Sequence, residues 1–491
     1  MLPGTFLRVD FSPWVFYNCS RMSISRGRRK ATEGGGGVEL YVPEYVRTAL
    51  SALERVGWES YAVGGCVRDT LLGREPHDWD LCTAAPPEAV KAAFPGERVL
   101  ETGIRHGTVT LLTPAGPLEI TTFRTEGGYS DSRHPDSVAF VSDVGEDLRR
   151  RDFTVNAMAY SPARGLRDDF GGQADLAAGI LRCVGDPAER FGEDALRILR
   201  AMRFAARYGF TVEENTARAM LDCRELLTRI SPERCFTELK GILCAPGAGT
   251  ILREFPQVIF TILPELEPMW GFDQHMPENH QWDVWGHVTR AVDAVEPEPV
   301  LRLTMLFHDC GKPATFSTDP DTGKSHFYGH PAVGARMADA MLRTLRCDND
   351  TRETVVTLVE HHGDRSEGSV KAVRRLLSQI GEENMRRLKK VRLADAAAHT
   401  PETCARMTAR AEEDERIVEA LLVREGRMTL RSLAVGGAEL RALGLEPGPR
   451  MGRVLQTLLE DVINETVPNQ REALLARAAE LVRSGAQSEP E

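Results

Sequence analysis

Residues 63–82 read VGGCVRDTLLGREPHDWDLC, and the reading of the whole chain turns on them. An apolar run ends in Gly64-Gly65 and passes into Arg68-Asp69. Ten residues further on, Asp78 and Asp80 flank Trp79 as a second apolar run begins. Glycines after a strand let the backbone approach a ligand closely, and exposed amides there suit an anion. Two acids one residue apart in a strand face the same side. The pattern predicts a triphosphate on one side and a divalent cation on the other.

Around this stretch, short β-rich runs recur: YAVGG (61–65), WDLCT (79–83), GTVTLLT (107–113), PLEITTF (117–123) and SVAFVS (137–142). Helical or turn segments separate them, which predicts an α/β head. Before the first run, residues 41–58 place Val46, Leu50 and Leu53 on one helical face. Glu119 lies in PLEITTF, where an acid is unexpected in a strand. With Asp78 and Asp80 it makes three carboxylates on adjacent strands, a hard oxygen site suited to Mg²⁺. Two such ions about 3.5–4 Å apart can activate an attacking hydroxyl and stabilise leaving pyrophosphate.

From about residue 174 strands are expected to vanish, and helical segments such as EDALRILRAMRFAARYG (193–209) continue to the C-terminus. The expected class is α+β, with a head at 41–173 and a helical neck at 174–270. Further helical domains follow at 271–400 and 401–491. Residues 1–40 are basic and rich in Ser and Gly, and are read as a disordered extension, with Met22 a candidate true start. The chain has 491 residues, too long for one core. No apolar run approaches the roughly 18 residues of a membrane helix. Ten cysteines without CxxC spacing argue for reduced thiols in a cytoplasm and against a zinc knuckle. A net charge of −11 excludes a wholly basic nucleic-acid binder but not local basic faces.

Two arginine clusters follow. In DLRRRDFTVNAMAYSP (147–162), Arg149, Arg150, Arg151 and Asp152 precede an apolar stretch carrying Asn156. That pattern alone describes a charged loop entering a buried helix. In GEDALRILRAMRF (192–204), Asp194, Arg197, Arg200 and Arg203 recur every three residues as one drifting helical stripe. Leu196, Ile198, Leu199 and Met202 supply the packed side. Such a stripe is either a salt-bridged solvent face or, beside a triphosphate site, a surface that reads a base.

GGCVRD, DWD, RRDFTVNAMA and EDALRILRAMRF, in that order, closely resemble the class II tRNA nucleotidyltransferases. That family includes the CCA-adding enzymes and bacterial poly(A) polymerases. The resemblance covers residues 45–270 strongly and LAVGGAELRALGLEPGPRMGRVLQTLLEDV (433–462) more loosely. It implies that Asp78 and Asp80 hold Mg²⁺, with Glu119 a third carboxylate, and that Gly65 and Arg68 contact the triphosphate. It assigns Arg151 and Asp152 to the phosphates and ribose of the incoming nucleotide. Asp194 and Arg197 would read the base, supported by Arg200 and Arg203. The implied reaction is template-independent addition of C, C and A to tRNA from CTP and ATP. A poly(A) polymerase, a CC-only or A-only enzyme, and a phosphohydrolase with an inert head are the alternatives.

Base reading by one protein pair has a physical reason. Cytosine and adenine both set an exocyclic amine beside a ring-nitrogen acceptor, matching a carboxylate and a guanidinium. Uracil and guanine present the opposite pattern. Both contacts then fail, leaving buried groups unpaired at about 1–3 kcal/mol each.

Further along, His287 sits on an apolar face in HQWDVWGHVTRAVDAV (280–295), and LRLTMLFHDCGKP (301–313) ends in His308-Asp309. His326 and His330, His361 and His362, and Asp395 follow. A His-Asp dyad at a helix end with further histidines is the layout of a metal-binding helical bundle. It resembles the HD phosphohydrolase superfamily, which implies His287, His308, Asp309 and Asp395 as ligands to a second metal such as Ni²⁺ or Mn²⁺. Finally, residues 370–392 carry Arg374, Arg375, Arg386, Arg387, Lys389, Lys390 and Arg392. They form either a solvated face or a surface for the tRNA acceptor/TΨC arm, read through shape and phosphates.

Overall fold

The computed structural model describes residues 39–127, 137–274, 279, 281–322, 325–424 and 429–485. The expected basic extension falls outside the described residues, apart from its last two. The chain divides after Asp194 into two compact units, with Val212–Thr216 returning to the first.

The first unit opens with helix Glu44–Arg55, which buries Val46, Ala49, Leu50 and Leu53 at helical spacing. Its strands are β1 (Ser60–Val63), β2 (Asp80–Thr83), β3 (Val99–Leu100), β4 (Thr108–Thr113), β5 (Gly116–Thr122), β6 (Arg124–Gly127), β7 (Ser137–Phe140), β8 (Ala159–Ser161) and β9 (Gly165–Arg167). The main sheet runs β3-β4-β5-β2-β1-β8-β9, and β6 and β7 pair separately. β2 and β5 are parallel, whereas β1 pairs antiparallel with both β2 and β8. Tyr61, Val63, Cys82, Phe123, Leu148 and Ala159 form one apolar cluster of this unit. The five strand runs read from sequence coincide with β1, β2, β4, β5 and β7. The 147–162 stretch is not a buried helix after Asp152. It makes a 3₁₀ turn at Thr154–Asn156 and then enters the sheet as β8.

The second unit is helical. Helix Leu196–Tyr208 packs on helix Pro232–Leu243, and among the described residues seven further helices between Val284 and Arg424, one of them the short Lys312–Thr315, make the central bundle. Strands do not vanish entirely, because Ser317–Thr318 pairs with Ser325–His326. The segment Val370–Ala397 is interrupted at Gly381, whose φ of 83° no helix can hold. A separate apolar cluster built on Leu440, Leu458 and Leu474 organises residues 433–482.

In the basic run at 370–392 most of the cations are ion-paired, as on a solvated face. Arg386 pairs with Glu382 and Glu419, Arg387 with Glu383, Lys389 with Glu415, and Lys390 with Glu296. Arg374 is buried against Ile463 O and Glu465, and Arg392 is held by Asp414. Of the seven cations, Arg375, Arg386 and Lys390 are exposed. A surface whose cations are already neutralised releases few phosphate counterions.

Candidate active site and a second histidine-aspartate centre

Asp80 opens β2 and stands directly across the parallel ladder from Glu119 on β5. Trp79 is buried, so the extended chain turns Asp78 and Asp80 outward together. Asp80 remains open to solvent as a residue, yet its carboxyl is partly desolvated. That desolvation, then Asp78 and Glu119, pushes it up to about 6, with Arg151 pulling the other way. The charge of these acids outweighs that of Arg151 at Asp80, and carboxylates suit a hard divalent cation.

The glycine that the turn requires is Gly64 rather than Gly65. Its φ is 81°, and a Cβ there would lie 2.9 Å from Arg151 Nη1. Arg68, on helix Gly65–Leu71, is buried. Its fork grips Asp69 at 2.9 and 3.1 Å, and its Nη1 donates to Asn156 Oδ1. Asn156 Nδ2 in turn donates to Asp152 Oδ1 at 3.1 Å, which also accepts from Phe153 N. Asp147 is fully buried and holds Arg150 at 2.8 Å and Arg151 at 3.3 Å. Burial alone would raise the Asp147 carboxyl, but the two guanidiniums outweigh it and hold it below its ordinary value. Arg151 Nε is buried and makes no hydrogen bond. Asp147 and Asn156 are thus the braces that sequence reasoning did not assign. The one signal was an asparagine inside an apolar run.

Asp194 is not part of the arginine stripe. It terminates helix Pro187–Glu193 with extended φ and ψ of −142° and 103°. Arg197, Arg200 and Arg203 lie on helix Leu196–Tyr208, three residues apart and each half-buried. Arg203 Nε donates to the buried Glu238 at 2.6 Å, and Gly241 leaves room for its side chain. Arg203 is therefore anchored within the helical unit.

The second centre gathers residues from five helical segments. His287 Nε2 lies 2.9 Å from Asp395 Oδ1, 3.3 Å from His308 Nε2 and 3.5 Å from Asp309 Oδ2. On the other side of Asp309, its Oδ1 lies 3.5 Å from His330 Nε2 and 3.7 Å from His362 Nε2. The four-residue set read from sequence is brought together, and His330 and His362 join it. His326 does not, and stacks instead on Tyr328.

The Nδ1 atoms of His287, His308, His330 and His362 face the carbonyls of Ala398, Met305, Phe327 and Val359 at 2.7–3.2 Å. A carbonyl only accepts, so each Nδ1 carries a proton and each ring turns its Nε2 inward. Burial disfavours charge at His308, but Asp309 and Asp395 overcome it and push the ring up to about 10. Asp309 Oδ2 faces Lys312 Nζ at 2.6 Å without accepting a hydrogen bond. Two trios, His287-His308-Asp395 and Asp309-His330-His362, each bring their ligand atoms within 4.8 Å of one another. This donor set fits a divalent transition metal.

Comparisons with known proteins follow this geometry. The Poly A polymerase head domain matches residues 60–182, and the probable RNA and SrmB-binding site of polymerase A matches 209–267. A putative tRNA nucleotidyltransferase domain 2 matches 332–478. The CCA-adding enzyme of Limosilactobacillus fermentum is 32% identical, over 90% of this chain and 98% of its own. That of Levilactobacillus brevis is 34% identical, over 88% and 96%. The Bacillus stearothermophilus CCA-adding enzyme, solved with CTP, superposes with a TM-score of 0.66 at 27% identity, covering 90% of this chain and 98% of that one. The fold and these matches thus define a nucleotidyltransferase of the tRNA-processing kind. The chain belongs to the CCA-adding enzymes, and it adds C, C and A to tRNA 3′ ends without a nucleic-acid template.

Proposed function

We propose that Asp78, Asp80 and Glu119 hold Mg²⁺ at the head, and that the chain's own side chains around them position CTP and ATP. The observation carrying this reading is the pairing of Asp80 with Glu119 across parallel strands, beside Asp78. When bound, the metal supplies charge for the triphosphate and lowers the barrier to attack by a hydroxyl. In the reaction, the tRNA 3′-oxygen bonds to the α-phosphorus, pyrophosphate leaves, and the hydroxyl proton passes to solvent. Gly64 and Gly65 let the triphosphate approach the backbone. Arg68 meets the triphosphate and is tied through Asn156 to Asp152, while Arg151, held by Asp147, and Asp152 meet the phosphates and ribose of the incoming nucleotide. Asp194 and Arg197 read the amine and ring nitrogen of C and A, with Arg200 and Arg203 setting the helix that carries Arg197. Shape and phosphate contacts hold the acceptor/TΨC arm.

The reading divides the chain into a 41–173 head, a 174–270 neck, a 271–400 bundle and a 401–491 tail. It places the enzyme in the cytoplasm, in keeping with the free cysteines of the described residues. No described helix is long and apolar enough to cross a membrane. Asp194→Ala combined with Arg197→Ala tests the base-reading pair. UTP and GTP should then be incorporated at rates approaching those of CTP and ATP, and unchanged selectivity would remove the assignment.

A second activity is favoured by the four histidines whose Nε2 atoms converge on Asp309 and Asp395. We read this centre as a metal-dependent phosphohydrolase, in which water replaces one ester oxygen on phosphorus and the departing oxygen takes the proton. Hydrolysis of bis-p-nitrophenyl phosphate and 2′,3′-cAMP should require Mn²⁺ or Ni²⁺ and disappear in His308→Ala. Metal-independent turnover, or turnover that survives the substitution, would contradict it.

A further inference from the structure

Behind the chain that runs from Arg68 through Asn156 to Asp152, three further residues of the head close a polar ring. The 3₁₀ turn Thr154–Asn156 carries Asn156, whose amide joins Arg68 to Asp152. Thr154 opens that turn and is buried. Its Oγ1 donates to Asp175 Oδ2 at 2.7 Å, and its backbone N–H donates to Arg182 O at 2.9 Å. Arg182 then returns to Asp175, its Nε donating to the carboxylate at 3.1 and 3.3 Å. Each of the three holds the other two. Asp175 lies on helix Gly172–Ala178, and this helix is seated directly on the turn. A Cβ at Gly172 would lie 2.3 Å from Thr154 O and 2.8 Å from Met158 Cγ, so only glycine allows the approach. Asp168 pins the start of the helix, accepting from Gly172 N at 2.7 Å and Gln173 N at 2.9 Å. A buried carboxylate satisfied by a hydroxyl and a guanidinium fixes direction as well as distance.

We infer that Asp175 and Thr154 are positioning residues for the incoming nucleotide. They act through the turn, setting the place from which Asn156 aims Arg68 and Asp152. Small displacements of groups that grip a substrate are costly, so a fixed turn raises nucleotide affinity without touching the nucleotide. The inference rests on the assignment of Arg68 to the triphosphate and of Asp152 to the ribose. The alternative, a tie that only stabilises the head, would change the melting temperature and leave nucleotide affinity as it is.

The test measures the Kd for CTP by calorimetry and, separately, the KM for tRNA, on the full-length protein with Mg²⁺. Thr154→Val keeps the shape of the side chain and removes the hydroxyl. It should weaken CTP about fivefold, the scale of one lost hydrogen bond, and leave the KM for tRNA within about twofold. Asp175→Ala should weaken CTP at least as much. Asp175→Asn still hydrogen-bonds Thr154 and should bind CTP within about twofold of wild type. Unchanged CTP affinity in Thr154→Val and Asp175→Ala overturns the inference. So does an equal loss in Asp175→Asn, or a rise in the tRNA KM that matches the loss of CTP, since either marks general loosening. If Thr154→Val fails to fold, the contrast between Asp175→Ala and Asp175→Asn decides alone.

Arg68→Lys reads the underlying assignment. An unchanged Kd for CTP in that variant removes the triphosphate role of Arg68, and the inference falls with it. Weakened binding by Arg68→Lys beside unaltered binding by Thr154→Val and Asp175→Ala overturns the inference alone.

Discussion

Asp147 shows how much of the head's active site rests on a residue that never meets substrate. It is fully buried and is the common partner of Arg150 and Arg151. Removing one member of a buried pair leaves an uncompensated charge, at about 3–5 kcal/mol. Asp147→Asn should therefore destabilise the protein by about 3 kcal/mol in urea unfolding at pH 7. The sign of the pH dependence follows from its depressed carboxyl. Its stabilisation is complete above the unfolded value, near 4, and is lost as pH falls through the lower folded value. The gap between wild type and variant should close on acidification below about pH 4, and a gap constant with pH would show that the pairing is not electrostatic. Asp78, Asp80 and Glu119 were legible in the sequence because strand alternation fixes which way they face. Asp147 and Asn156 were not, since their partners lie on other elements and no periodicity encodes a buried polar link.

At the scale of elements, the same distinction separates the helices that were read well from the one that was not. Helix Leu196–Tyr208 carries its arginines at the expected spacing, because a packed face of Leu196, Ile198, Leu199 and Met202 fixes its roll. Asp194 left that pattern because the preceding helix ends on it. For the 370–392 run, spacing revealed the cations but not Glu415 and Glu419, which approach from another helix, or Glu296, which lies in a loop. Exposed pairs of this kind contribute about 0–1 kcal/mol each. Arg386→Ala, Arg387→Ala and Lys390→Ala together should thus leave the KM for tRNA within about twofold. A large, salt-dependent rise would favour the RNA-surface reading. The interruption at Gly381 was also hidden, since a glycine inside a helical pattern is commonly tolerated.

Across the whole molecule, two collections of acidic or imidazole side chains lie in separate units: carboxylates on a mixed sheet, and histidines with aspartates in a helical bundle. Their ligand types suit different ions, hard oxygen for Mg²⁺ and imidazole for a transition metal. The head's chemistry was readable from four ordered motifs. His287, His308, Asp309 and Asp395 were readable as one cluster, but its extent was not, because His330 and His362 reach Asp309 only through the fold. The central claim is that this head extends tRNA by a fixed trinucleotide through the Asp78-Asp80-Glu119 site. The most direct measurement sizes the products formed on tRNA transcripts ending before CCA, before the final A, and after it, with each nucleotide supplied alone and together. The account predicts additions of three, one and zero nucleotides, restricted to C and A, and a loss of about a thousandfold or more in Asp80→Asn. Long adenylate tails, or undiminished extension by that variant, would contradict it.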